Sequence, residues 1–312
     1  RHHCNHHRKR SLTKMALSAG QILQKWFRQI IRWPLEALFG LSLFYFARLL
    51  PVRFASAAMG GLLGIVAPLT RRHRRALRNL NHAMPDLDDA EKDRILRVMW
   101  RNLGRVIGEY PHINSIVDKG WVEFVGLDHL KALEGGGFLI GAHIGNWEFG
   151  PFAALTTGKK VAAIYRPLNN PLLSGLLHRR QETYGGDIYR KGREAALGMV
   201  SALRKGQMMC LLVDQQLREG IWVPFFGHPA RTSISHIKIA IRKQVPLFYM
   251  RTERLGACRF RVTISPPITL PDTADDAAVL ALATEINHEI ESWIRTIPEQ
   301  WVWPHRRWGK NI

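Results

Sequence analysis

An imidazole and a carboxylate stand five positions apart in Gly141-Ala142-His143-Ile144-Gly145-Asn146-Trp147-Glu148, a spacing and a pair of residue types suited to acid–base chemistry. A neutral imidazole accepts a proton from an alcohol, and a carboxylate can hold its tautomer and stabilise the cation that forms. Two residues five apart on one continuous helix point about 140° apart, so the pairing requires a turn. The sequence supplies one. Gly137-Phe138-Leu139-Ile140 reads as a short buried strand that Ala142 ends. Asn146 can cap a helix beginning near Trp147, which leaves His143 in the turn and Glu148 in the first helical turn, where the macrodipole favours a carboxylate. A capping turn with an incidental His and an exposed Glu fits the same residues.

Around this turn the chain must supply a scaffold. After Trp121, short β-like runs alternate with helical stretches. The pattern predicts strands over 122–125, 138–141, 161–165, 208–213 and 246–251, and helices over 147–156, 171–184, 193–204, 233–243 and 275–297. That alternation argues for an α/β fold with a mixed, mostly parallel sheet flanked by helices. Upstream, Arg71-Arg72-His73-Arg74-Arg75 begins a helix that Pro85 stops. A further helix over 88–110 carries an apolar stripe of Ile95, Val98, Met99, Leu103, Val106 and Ile107.

The stretch 33–50 is almost continuously apolar, with Glu36 and Arg48 near its ends, and it matches the roughly 17–25 residues that a membrane span needs. It is read as an N-terminal apolar membrane-anchoring helix. No small-residue cleavage site follows it, so an anchor is expected and not a removed signal. Ahead of it, Lys25, Arg28 and Arg32 interleave with Leu23, Trp26, Phe27, Ile30 and Ile31, as on a basic amphipathic helix at a membrane surface. A second uncharged stretch, 54–70, contains Gly60, Gly61, Gly64 and Pro68. These weaken it as an independent span and leave it to lie in the interface or to pack on the catalytic domain. The organisation expected is a leader or added extension over 1–14, a membrane-anchoring region over 15–70 and an enzyme domain over 71–312.

The 312 residues hold 45 Lys and Arg against 25 Asp and Glu, a formal charge of +20. That excess calls for polyanionic partners, and charge alone does not choose among anionic membrane, acidic protein and nucleic acid. Cys4, Cys210 and Cys258 are odd in number and widely spaced, which argues against a disulfide framework and fits a reducing compartment. No G-x-S-x-G nucleophile elbow, G-x-x-x-x-G-K-[ST] phosphate loop or H-E-x-x-H metal helix occurs.

The chain resembles the late acyltransferases of lipid A biosynthesis, within the wider glycerolipid and lysophospholipid acyltransferase superfamily. The resemblance rests on His143 and Glu148 as an H-x4-D/E pair, followed in order by 165–171 (Tyr-Arg-Pro-Leu-Asn-Asn-Pro), Asp214-Gln215, 223–227 (Val-Pro-Phe-Phe-Gly), and Pro298-Glu299-Gln300-Trp301 to His305-Arg306-Arg307. It runs from about Trp33 to Trp308.

The resemblance implies transfer of a fatty acyl chain from an acyl thioester, on acyl carrier protein or CoA, to a hydroxyl of a lipid A precursor; a related acyltransferase acting on another glycolipid or lysophospholipid, or a non-catalytic basic membrane-binding protein, is the alternative. His143 would be the general base and Glu148 its orienting partner, with no covalent acyl-enzyme, no metal, no cofactor and no nucleic-acid partner. It further implies a bacterial inner membrane location, an anionic membrane surface as partner and a catalytic domain on the cytoplasmic face. Arg166 is the candidate for the oxyanion or an acceptor phosphate. Arg190, Lys191 and Arg193, spaced by Gly192, form a second basic group suited to phosphate, or a solvated loop. Asn146 and Asp214 join the candidate substrate contacts, Asp214 with a structural or Arg-positioning role as the favoured reading. Phe225-Phe226 suits an acyl-channel wall or core. The tail of Trp301, Trp303, Trp308 and cations suits a bilayer interface, or base stacking.

Overall fold

The computed structural model describes residues 19–165 and 170–309. Helix α1 (Ala19–Phe27) runs through a π turn at 28–32 into α2 (Trp33–Leu49). Pro34 lacks the N–H that an α-helical ladder would use there, and the widened turn accommodates it. Leu50 is extended before Pro51, which ends α2 and starts α3 (Val52–Val66). By length and composition 28–49 and 52–69 could each cross a bilayer. Along α2, Leu35, Leu38, Phe39, Phe46 and Leu49 are all exposed.

The second apolar stretch is built onto the body of the protein. After α4 (Arg71–Ala83), α5 (Asp89–Glu109) crosses α3 with the two backbones in contact. A Cβ on Gly104 would stand 2.3 Å from the Met59 carbonyl oxygen, and one on Gly108 would stand 2.4 Å from that of Ala55. Only glycine permits that approach. The attachment of α2 is sparser: the His112 ring donates to the Ala47 carbonyl at 2.8 Å, and the Asn170 amide to the Trp33 carbonyl at 2.7 Å.

The remaining elements are, in chain order, α6 (Ile113–Asp118), β1 (Val122–Val125), α7 (Leu127–Lys131), β2 (Gly137–Gly141), α8 (Phe152–Leu155), β3 (Val161–Tyr165), α9 (Gly175–Tyr184), β4 (Gly185–Arg190), α10 (Arg193–Arg204), β5 (Met208–Leu212), β6 (Ile221–Phe225), β7 (His228–Thr232), α11 (Ser235–Lys243), β8 (Leu247–Gly256), β9 (Arg259–Pro267) and α12 (Asp276–Thr296). Among the described residues the main sheet has seven strands in the order β1-β9-β8-β2-β5-β3-β4. All neighbours are parallel except β8 and β9. The fold is therefore the mixed, mostly parallel α/β sheet that the alternation predicts.

Both faces are covered. Phe138 and Ile140 of β2 enter a core with α4, α5, α10, α11 and α12, while Leu139 enters the opposite core with Phe149, Phe152 and Phe260. A central parallel strand buried on both sides reads as a continuous apolar run, as β2 and β5 do. Cys210 is buried within β5. Four strands lie outside the sequence reading: β4, β9 and the β6–β7 hairpin. The hairpin turns on Phe226 and Gly227, both at positive φ (53° and 73°), the geometry of a two-residue turn whose twist matches its strands.

Candidate active site

β2 and β5 lie side by side in parallel, in register from Gly137 opposite Met208 to Gly141 opposite Leu212. Val213 N–H continues the ladder to the Gly141 carbonyl at 2.9 Å. Two positions beyond each strand end, the same register sets His143 beside Asp214. Open α/β sheets form their ligand crevices at such carboxyl ends. The His143 Nδ1 lies 2.8 Å from Asp214 Oδ1, and the His143 backbone N–H donates to Oδ2 at 3.0 Å. Trp301 Nε1 donates to the same Oδ2 at 2.8 Å. Asp214 thus sets a carboxylate on the imidazole. The sequence reading gives that place to Glu148, which sits half-buried one turn further on.

Asp214 is fully buried. Burial alone would raise its carboxyl, but the His143 charge and hydrogen bond, the His305 charge and the Trp301 indole outweigh it and hold the group well below the ordinary carboxylate range. With a carboxylate facing Nδ1, the proton of a neutral His143 belongs on Nδ1 and its lone pair on Nε2. His143 keeps 16% of its side chain exposed. Around Nε2 stand Gln215, whose amide nitrogen is 3.1 Å away, and His305, whose ring centroid is 5.0 Å from that of His143. Burial, with the charges of His143, Arg75 and Lys191 against the opposing pull of Asp214, pushes His305 down to about 4.

The turn itself is held from below and from the side. Gly145 sits at φ +62°, and a Cβ there would meet the Thr252 carbonyl oxygen at 2.8 Å. Its N–H donates to the Gln300 carbonyl at 3.1 Å, and Val302 N–H to that of His143 at 3.2 Å. Beneath it Asn146 is wholly buried. Its amide donates to Glu109 Oε2 at 2.9 Å and its Oδ1 accepts from Glu148 N–H at 3.3 Å. Expected among the substrate contacts, Asn146 instead braces the turn with both ends of its amide engaged inside the protein. Glu109 also accepts from Ser56 at 2.7 Å and pairs at two points with Arg254.

Of the basic candidates, Arg190 and Lys191 are exposed at the carboxyl end of β4, with Lys191 N–H donating to the Tyr165 carbonyl at 2.8 Å. Arg193 is the first residue of α10. Arg166 lies outside the described residues.

The tail is corrected. Trp301, Trp303 and Arg307 are fully buried and Trp308 nearly so, so this segment seals the site and is neither a bilayer interface nor a stacking platform. Phe225 and Phe226 pack against these tryptophans as core. Arg307 donates to the Arg231 carbonyl, Thr232 Oγ1 and Asn287 Oδ1. Sequence reasoning misses Gln215, His305 and Trp301 as neighbours of the imidazole. Gln215 carries a usable signal: it follows an acidic residue at the end of an apolar strand.

A family model described as bacterial lipid A biosynthesis acyltransferase matches residues 24–310. A lipid A biosynthesis palmitoleoyltransferase of Escherichia coli is 28% identical over 264 residues, covering 80% of this chain and 83% of its own. A lipid A biosynthesis acyltransferase of Haemophilus influenzae is 26% identical over 258 residues, 78% of each. A lipid A biosynthesis lauroyltransferase of Escherichia coli is 26% identical over 254 residues, 77% and 79%. Among solved structures, the 1-acyl-sn-glycerophosphate acyltransferase of Thermotoga maritima superposes with a TM-score of 0.40 at 12% identity, covering 86% of this chain and 99% of its own.

Proposed function

Because the chain belongs to the bacterial lipid A biosynthesis acyltransferase family, we propose that it transfers a fatty acyl chain from an acyl thioester to a hydroxyl of a lipid A precursor, with His143 as general base. The observation that carries this reading is the oriented imidazole, held at Nδ1 by the buried Asp214 carboxylate at 2.8 Å and keeping Nε2 as its proton-accepting atom.

The acceptor O–H gives its proton to His143 Nε2 as its oxygen bonds to the thioester carbonyl carbon. The C–S bond then breaks, and the thiol leaves with the proton returned from the imidazolium. Because a thiol is a good leaving group, neither Cys210 nor Cys258, both buried, is needed as a nucleophile. Asp214 fixes the tautomer and stabilises the cation. Glu148, the second carboxylate of the turn, favours the same cation from its own side. Arg166 is assigned to the oxyanion or an acceptor phosphate. Arg190, Lys191 and Arg193 are assigned to acceptor phosphate.

The donor is acyl carrier protein or CoA, and no cofactor enters the scheme. The enzyme works at the cytoplasmic face of the inner membrane. Residues 15–70 attach it there through the exposed apolar side chains of α2, and the domain over 71–312 carries the chemistry. Exposed Arg71, Arg72 and Arg74 suit anionic headgroups.

The test is mass spectrometry of membrane lipids from cells with and without the protein, followed by a purified assay with lauroyl thioesters of acyl carrier protein and of CoA. One added acyl mass on a lipid A precursor is expected, and its loss in His143→Ala with membrane association intact. Full turnover by His143→Ala removes the assignment; an added acyl mass on a phospholipid instead redirects the acceptor.

A further inference from the structure

Gln215 stands between two imidazoles. Its Nε2 is 3.1 Å from His143 Nε2 and 3.1 Å from His305 Nε2. A carboxamide nitrogen carries two hydrogens and no lone pair, so it meets both contacts only where each ring offers a lone pair at Nε2. For His143 that leaves the ring hydrogen on Nδ1, the nitrogen facing Asp214. The two ends of the ring therefore demand the same tautomer. Turning the amide over would set Oε1 between the rings and require a proton on both Nε2 atoms. His143, already donating from Nδ1, would then be an imidazolium unable to take a proton from an alcohol.

Resting on the reading of His143 as general base, we propose that Gln215 is a positioning residue, tethered by His305, that keeps His143 Nε2 unprotonated and occupies in the resting enzyme the hydrogen-bonding place the acceptor hydroxyl takes. An arriving hydroxyl displaces one amide hydrogen from His143, while the other stays on His305 and keeps the side chain at hand. The tether needs a neutral partner, and burial keeps His305 in that form at neutral pH. The groups around the imidazole are Asp214 on its Nδ1 side, the Trp147 ring at 5.1 Å and His305 beyond Gln215. Arg75 and Lys191 act on His305, and Glu148 lies on the same turn.

The pH dependence of kcat/KM tests this on the full chain in detergent, with the lauroyl thioester of acyl carrier protein and acceptor lipid purified from cells lacking the protein. Gln215→Glu sets a carboxylate against Nε2 and favours the imidazolium. Its acid limb is expected to move up by about one pH unit or more, with activity recovering in alkali. Gln215→Ala and His305→Ala are each expected to lower kcat/KM. The double variant should be no worse than Gln215→Ala alone, because His305 acts through the amide. A Gln215→Glu enzyme depressed equally at every pH, or losses that add in the double variant, would overturn the proposal. Should Gln215→Glu fail to fold by circular dichroism, the comparison of the alanine variants decides alone. A wild-type enzyme with no transfer activity refutes the proposed function; active wild type with unshifted variants refutes this role only.

Discussion

Glu109 and Arg254, far apart in sequence, form a two-point ion pair at 2.6 and 2.8 Å with their side chains 0% and 4% exposed. The pair lies directly beneath the turn that carries His143, joined to it through Asn146. Breaking a buried pair strands the surviving charge, which costs about 3–5 kcal/mol. Glu109→Gln is expected to lose that much in urea unfolding of the detergent-solubilised protein, and Glu109→Gln with Arg254→Met to lose less than the single change. A single change that leaves the unfolding midpoint in place would show that the pair does not hold the turn.

The contact between Asp214 and His143 makes the two carboxylates of the site separable. Asp214→Asn keeps the shape but removes the charge that holds Nδ1–H, and kcat should fall by about 10²–10⁴-fold, the range of a positioned acid–base group. Trp301→Phe removes one donor to Asp214 and should cost less. Steady-state kinetics of Asp214→Asn beside Glu148→Gln then report which carboxylate the imidazole depends on. A larger loss in Glu148→Gln would return the orienting role to the residue that the H-x4-E spacing suggests.

His236 is 2% exposed, its Nε2 has no hydrogen-bond partner among the described residues, and burial pushes it down to about 4. His305 is pushed down to about the same value. The unfolded chain takes up these protons near pH 6.5, whereas the folded one does not until about pH 4. Stability is therefore full above about pH 6.5 and falls by about 1.4 kcal/mol per pH unit per histidine as pH drops toward 4. Asp214, held low, adds a loss only below the ordinary carboxyl range near pH 4. Urea midpoints from pH 7 to pH 4 should trace this slope, and His236→Leu should flatten it. A pH-independent midpoint across that window contradicts the prediction.

Gly104→Val or Gly108→Val would force a side chain into the backbone of α3. Overpacking of this kind costs about 1–3 kcal/mol, and two backbones without slack put it at the upper end. Thermal melts of the solubilised variants measure the cost, and an unchanged melt would mean that α3 can stand off from α5.

His143 and its turn are legible in the sequence because strand, turn and cap are local signals packed into 137–148. The carboxylate that Asp214 sets on the imidazole is not local. Asp214 meets it only because β2 and β5 are neighbours in register, and no spacing rule within one segment encodes which strands become neighbours. The buried tail fails for a related reason: tryptophans beside cations suit an interface and a sealed core equally, and what decides is the fit of Phe225 and Arg307 around them. One of the missed strands does carry a signal. Arg259–Pro267 alternates apolar and polar residues, and its burial follows that alternation, while the hairpin hides its turn because Phe226 adopts a positive φ usually left to small residues. Helix α5 is correctly bounded because Asp88 caps it through Glu91 N–H, a signal written within four residues.

The clasp between Ile144 and Trp301 joins the His143 turn to a segment that is synthesised long after it. The apolar helices leave the ribosome before the imidazole, the imidazole before Asp214, and only much later comes the segment whose indole and His305 enclose them. A half-made chain thus holds the imidazole and the carboxylate while the segment that completes their surroundings is still missing.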